Sequence, residues 1–595
     1  MMCEWRPARV AIPHFCRTKT MSIRRPSSHA RAVTLSAMLG ALLAGCAATP
    51  PVAGSTAGSA GTAAREIQIL ALNDFHGNLV APDAKTSWHD GTAMQEGRLG
   101  GAAQMGAALA QLRQGIPHTI TVAAGDLIGA SPLESAYFLD EPSIMALGAI
   151  GLDIAAVGNH EFDRGTAELR RMQDGGCAKN TLRTPCALDQ FAGARFDYLA
   201  ANVLDDRGET LFPGTVMRDF GGVKLGFIGM TLKGTDTLVA PSATAGYRFA
   251  DEAETANRLA QELKAQGADA VILLIHEGGR VDPFLNVTGC PSLSGSIVPI
   301  LDNLDPAIGL VVSGHTHAAY VCDRPARDGS PRLLTSAGRY GNFVTDIRLS
   351  IGGAGQAPRF VARNYPVHAD GAEQADVASL VRRYVDAAAP ISAQVAGRIH
   401  GPLEPRKGDT DYALANLVAD AHLAYTADPA KGGAQFAFIN SGGLRGQLVP
   451  AADGTLTYGQ IFAFQPFGNV LTVLELTGDQ LRRVLEQQFT ADSPAIFRQS
   501  MLIPSHTLNY RYDRKAPVGS RVTAITLQGV LIDPAARYRV TVNNFLASGG
   551  DGFSVLAEGR VITDGALDLD ALQAFIAQGA TVAELGRVVD GTSTD

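Results

Sequence analysis

Five apolar runs of this chain end in the same way, and that repetition limits the folds open to it. "EIQILALND" (66–74), "HTITVAAGD" (118–126), "LDIAAVGNHEFD" (152–163), "ADAVILLIHEGG" (268–279) and "AIGLVVSGHTHAAY" (307–320) each pass from a buried-strand composition directly into Asp, Asn, Glu or His. "VKLGFIGMT" (223–231) repeats the apolar run. Between these runs lie helix-like segments. One is the amphipathic "GGAAQMGAALAQLRQG" (100–115); another is "EPSIMALGAIG" (141–151), with Pro142 in its first turn. Short buried strands alternating with helices predict an α/β layered domain. Such sheets place their sites at the carboxyl ends of strands. One polar strand end is an ordinary loop; five in a row point to a site.

The strand ends carry Asp74, His76, Asp126, Asn159, His160, Asp163, His276, His315 and His317. Imidazole and carboxylate together suit zinc, manganese, cobalt or a similar divalent ion. Two ions about 3.5–4 Å apart need about seven protein ligands and a bridging carboxylate, and this set is large enough. Gly77, Gly125, Gly158 and Gly314 flank the candidates and permit tight turns beside an ion.

At 595 residues the chain is too long for one ordinary core. The pattern changes near residue 365. "DGAEQADVASLVRRYVDAAAPISAQ" (370–394) predicts a long helix with a polar face, read as a connector over 367–395. A second α/β domain is expected over 396–588, after a first over 66–366. It opens with the helix "YALANLVADAHLAYT" and the strand "AQFAFINSGGLRG". Hydrophobic residues make up 46% and charged residues 18%, a globular composition. The net charge of −8 offers no basic excess, which excludes nucleic acid as a partner class. No protein partner is evident either.

The first 65 residues do not read as fold. From Met21, the more natural start, Arg24, Arg25 and Arg31 precede a short apolar segment over 32–45, the pattern of a secretory signal. Leu43-Ala44-Gly45-Cys46 resembles a bacterial lipobox, with Cys46 as the lipid-bearing residue. Residues 46–65 read as a flexible tether. This predicts an exported protein on the periplasmic side that touches a membrane only through its anchor. Ala47 is not the Asp that retains lipoproteins at the inner membrane, so the outer membrane is favoured. Downstream, Cys177, Cys186, Cys290 and Cys322 are an even number in an exported chain and predict two disulfides. Pairing 177–186 and 290–322 is the most local of three possibilities.

The order D-x-H, G-D, G-N-H-E-F-D, H, G-H-T-H resembles the calcineurin-like metallophosphoesterases. The whole chain from about Glu66 to about residue 588 resembles the bacterial 5′-nucleotidase/UDP-sugar hydrolase family. That resemblance implies a four-layer α/β/β/α sandwich followed by an α/β nucleotide-binding domain, joined by a helix. It implies two divalent ions: Asp74, His76 and His317 on one, Asn159, His276 and His315 on the other, and Asp126 bridging. It assigns His160 to the transition state, oriented and kept protonated by Asp163, while a metal-activated water attacks in line. For Glu161 and Phe162 the residues suggest a solvated acid and a core aromatic.

In the second domain the resemblance implies that Phe467 and Phe545 clamp a base, Asp551 binds ribose hydroxyls, and Asn440 and Arg445 help bind base and phosphate. The chain departs from the family in "PLEPRKGDTDYALANL". Only Arg406 and Lys407 are basic there, and Asp411 stands where a further Arg would be sought. The expected activity is release of phosphate from nucleoside 5′-monophosphates, with UDP-sugars as a further substrate class. Relatives rotate the second domain about the connecting helix, so hinge closure is expected here. Two alternatives stay open. One is a 2′,3′-cyclic-nucleotide 2′-phosphodiesterase/3′-nucleotidase on the same scaffold; the other is a catalytically silent nucleotide-binding surface lipoprotein.

Overall fold

The computed structural model describes residues 65–181, 183–281, 286–290, 292–352, 357–400, 411–445, 448–489, 501–582 and 585–591. The signal segment, Cys46, the tether as far as residue 64, Arg406 and Lys407 lie outside the described residues, and the last expected tether residue, Arg65, instead opens the first strand.

The first domain is a four-layer sandwich, α/β/β/α. Its first sheet runs in the order Arg359–Pro366, Phe343–Ile351, Arg65–Leu72, Thr119–Ala124, Ile154–Ala156, Asp197–Leu199. The second runs Val287–Thr288, Ala319–Asp323, Leu333–Ala337, Ile308–Ser313, Ala270–His276, Lys224–Thr231, Thr215–Asp219. Alternation along each strand explains the layering. Ile67, Ile69 and Ala71 face Ile272, Leu274, Leu310 and Val312 of the other sheet. Leu70 and Leu72 point the opposite way, onto the helices Ala102–Leu112, Glu141–Ala149 and Ala375–Ser392. Val271, Leu273 and Ile275 likewise pack on the helices Glu252–Ala265 and Ile297–Asn303. With both faces covered, the strands are buried runs rather than half-polar ones. The strands that carry the candidate ligands pair in parallel with one another, whereas an antiparallel pair closes one edge of each sheet.

The predicted connector is the helix Ala375–Ser392, with Pro390 in its last turn. It starts later than the pattern suggested, because residues 367–374 run along the first sheet's helices as extended chain and turns. The second domain is built on a five-stranded sheet ordered Leu502–Pro504, Phe436–Asn440, Arg537–Asn543, Val470–Thr477, Arg560–Leu567. The helices Tyr458–Phe464 and Gly478–Glu486 both begin with a reciprocal Thr/Gln capping box, at Thr457/Gln460 and Thr477/Gln480. Asp411 is buried and accepts from the backbone N–H groups of Gly586 and Arg587 and from Asn416. It closes the end of this domain onto its first helix. Two disulfides form, Cys177–Cys186 and Cys290–Cys322.

Candidate active site

The strand-end loops are zipped together by their own backbones. Asp74 N–H donates to the Gly125 carbonyl, His76 N–H to Asp126, and Gly77 N–H to Leu127, each at 3.0 Å. This brings the end of Arg65–Leu72 beside the end of Thr119–Ala124. Gly158 completes the floor: a Cβ there would stand 2.2 Å from Asp126 Oδ1, so no other residue fits. Five of the seven candidate ligands hold a left-handed backbone: Asp74 (φ 49°), His76 (46°), Asp126 (50°), His315 (68°) and His317 (59°). Each such residue costs ~1–2 kcal/mol, strain of a kind that concentrates at functional sites.

The donors converge. Asp74, His76 and His317 offer ligand atoms all within 4.8 Å of one another, as do Asp126, His276 and His315, and also His76, Asp126 and His160. His276 Nε2 lies 3.0 Å from Asp126 Oδ2, and His317 Nε2 lies 3.4 Å from Asp74 Oδ1. Asn159 Oδ1 is 3.1 Å from His315 Nδ1. Ring tautomers are set from outside the site. His276 Nδ1 donates to the Ala124 carbonyl (2.7 Å) and His76 Nδ1 to Gly129 (2.9 Å), so both Nε2 lone pairs face inward. Apart from its approach to Asp126, the buried His276 Nε2 has no partner among the described residues, and His76 Nε2 meets His317 Nε2 at 3.1 Å. Inward lone pairs beside two buried carboxylates fit a cation.

Electrostatics agree. Burial, set against the His276 charge and aided by Asp126, pushes Asp74 up to about 7. Burial lowers His76 to about 4. Burial also opposes charge on His276, but Asp126 outweighs it and raises the ring to about 10, so the Asp126–His276 pair holds a proton at Nε2 where a cation would otherwise be held. His160 follows His276 rather than His76. Burial works against its charge, yet Asp163 and then Asp126 push it up to about 9. Its Nδ1 is 2.8 Å from Asp163 Oδ2, and its backbone N–H donates to Asp126 Oδ1 at 2.9 Å.

Glu161 is not the solvated acid its polar neighbours suggested. It is 2% exposed, and its carboxylate accepts from the backbone N–H groups of Asp126 (2.9 Å), Leu127 (2.7 Å), Ile128 (3.4 Å) and Gly158 (2.5 Å). It therefore ties the Asp126 turn to the Gly158 turn. Phe162 is fully buried, as a core aromatic should be.

The second domain covers this centre. One cleft of ≈ 460 Å³ is lined by Asn159, His160, Asp163 and His315 from the first domain, and by Asn440, Arg445, Phe467, Phe545 and Asp551 from the second. The Phe467 ring stacks toward His160 (centroids 6.0 Å apart, planes 16°), and the Arg445 guanidinium lies 4.8 Å from the same ring. Arg445 also donates to the Gly442 carbonyl, and burial lowers its pKa. Asn440 Nδ2 donates to Asp551 (2.8 Å) and Asn440 Oδ1 accepts from Asn543 (3.2 Å). Arg280, Asn469 and Asn543 also line the cleft. The sequence pattern did not single them out; Asn469 stands two positions after Phe467 and Asn543 two before Phe545, and that proximity was the available signal.

Residues 67–319 match the family model for calcineurin-like phosphoesterases, and residues 391–558 match that for the 5′-nucleotidase C-terminal domain. The chain is similar to endonuclease YhcR of Bacillus subtilis, at 29% identity over 487 residues. That match covers 81% of this chain but 37% of the relative, so the chain spans only part of that longer protein. It is similar to a 5′-nucleotidase of Vibrio vulnificus at 25% identity, over 92% of this chain and 96% of the relative. In fold it resembles the 5′-nucleotidase precursor of Thermus thermophilus, with a TM-score of 0.69 at 23% identity, over 89% of this chain and 100% of that one. The two models occur in one order on one chain, and the chain belongs to the 5′-nucleotidase family of metal-dependent phosphoester hydrolases.

Proposed function

We propose that this protein removes phosphate from nucleoside 5′-monophosphates at a centre of two divalent ions. The observation that carries the reading is the shared cleft, in which the candidate metal ligands Asn159 and His315 face Phe467, Phe545 and Asp551. Asp74, His76 and His317 would hold one ion, Asn159, His276 and His315 the other, and Asp126 both. The grouping of ligand atoms supports that division. When bound, the ions supply charge neutralisation at the phosphoryl oxygens and activate water.

The protein's own groups do the rest. His160, held protonated by Asp163, donates to a phosphoryl oxygen or to the leaving oxygen as charge develops there. Phe467 and Phe545 stack the base, at ~1–3 kcal/mol per stacked contact. Asp551 accepts from the ribose hydroxyls. Arg445 turns from its loop carbonyls to the phosphate, for which its planar fork is suited.

The N-terminal segment is read as an export signal ending at a lipid-bearing Cys46. Among the described residues no helix is long and apolar enough to cross a membrane. Incorporation of labelled fatty acid that is lost in Cys46→Ser would support the anchor; incorporation that persists would remove it.

Phosphate release from AMP, UDP-glucose and 2′,3′-cAMP, measured with zinc, manganese, cobalt or chelator, tests the activity. The reading expects metal-dependent release, greatest from AMP. A preference for 2′,3′-cAMP would move the assignment to the cyclic phosphodiesterase. No release from any nucleotide would leave a binding protein.

A further inference from the structure

Arg183 is absorbed by neither the metal centre nor the cleft, yet it touches both domains. Its guanidinium lies 4.8 Å from the Tyr137 ring centroid and 5.9 Å from the Phe462 ring centroid. Tyr137 follows the short helix Leu133–Ala136 of the first domain, and Phe462 is buried on the helix Tyr458–Phe464 of the second. Both distances are within cation–π range. No carboxylate pairs with Arg183 among the described residues, so aromatic faces are what engage its charge.

Described residues on either side of Arg183 are tied to the rest of the first domain. Arg183 lies on the loop closed by Cys177–Cys186. That loop is pinned to the first domain where Cys186 N–H donates to Glu141, whose carboxylate also holds the buried Arg171. Just beyond, Asp189 accepts from Tyr384 (2.9 Å) and pairs with Arg383 (2.7 Å), both on the connecting helix. The stapled loop is therefore anchored to the first domain and the connector, and its guanidinium reaches across to the second domain. The first domain also sends Leu133 and Ala136 into the second domain's core. Five residues beyond Phe462 stands Phe467, the ring that stacks toward His160.

We propose that Arg183 is an interdomain positioning residue, a cationic latch that holds the second domain closed so that Phe467 and Arg445 stand over the catalytic centre. The proposal rests on the nucleotide reading for its kinetic readout. Opening the domains separates Phe462 from Arg183 while Tyr137 keeps its contact, so the latch is broken at one ring.

The test compares wild type, Arg183→Ala and Arg183→Lys on AMP and on p-nitrophenyl phosphate, which carries no nucleoside to engage the second domain. Arg183→Ala is expected to raise KM for AMP about tenfold, equivalent to about 1.4 kcal/mol. Its kcat/KM on the aryl phosphate should stay within about twofold, and Arg183→Lys, which keeps the cation, should recover most of the loss. Unchanged kinetics on AMP, or equal losses on both substrates, overturn the latch. If wild type cleaves the aryl phosphate but no nucleotide, the nucleotide reading fails, and X-ray scattering then decides the latch. A larger radius of gyration in Arg183→Ala supports it, and an unchanged one overturns it.

Discussion

Glu161→Gln perturbs the site without replacing a candidate ligand. The two carboxylate oxygens each hold a pair of backbone N–H groups: Oε2 takes Asp126 and Gly158, and Oε1 takes Leu127 and Ile128. The amide is the same size, so no cavity opens. Its oxygen can serve one pair, but its NH₂ then points donors at the other. Two buried N–H groups lose their acceptor, at ~1–3 kcal/mol each, or ~2–6 kcal/mol in all. The strain falls where Asp126 leaves its strand in a left-handed conformation, so part of it should appear as displacement of that carboxylate. Loss of such a supporting partner typically weakens metal binding by about 10–100-fold. Chelator competition measures the affinity, and urea unfolding of the metal-free protein measures the remainder. Wild-type values in both assays would refute the reasoning.

Two further perturbations probe the frame around the site. His422 is fully buried in the second domain with neither ring nitrogen partnered, and burial lowers its pKa to about 3. The folded value lies below the unfolded ~6.5, so its contribution is whole above pH 6.5 and is lost as pH falls toward 3. His422→Leu should gain on wild type by about 3 kcal/mol between pH 8 and pH 4, read from paired urea midpoints; a pH-independent difference would contradict this. The Cys290–Cys322 bond closes a loop of sequence separation 32. Replacing both with Ala should cost about 3–4 kcal/mol of stability in urea unfolding, and an unshifted midpoint would show that the bond constrains little.

The parts of this protein legible in its sequence are those where chemistry and periodicity coincide. "AVILLIH" is an uninterrupted apolar run that stops at a ligand-type residue, and the strand Ala270–His276 ends at that His. Asp74, Asp126, Asn159 and His315 were readable for the same reason. Glu161 was not. An acid between His160 and Phe162 looks solvated, and only the fold delivers N–H groups from residues 126–128 to it. Nor did any pattern announce the left-handed backbones of Asp74 and His317, since side-chain type says little about φ where the surrounding structure enforces it. Asp411 misled in the other direction. It stands where an Arg was sought, but its carboxylate accepts from Asn416 and from backbone amides more than 170 positions away in the chain. Arg183 was silent because its role depends on two rings contributed by different domains.

The central claim is a division of labour across Asn159, His160 and Asp163, in which the His beside a metal ligand is itself catalytic. Metal content and AMP turnover of His160→Ala test it most directly. The account predicts both ions retained, by elemental analysis of the purified protein, with kcat lowered about 10²–10⁴-fold. Loss of an ion, or turnover close to wild type, would contradict it.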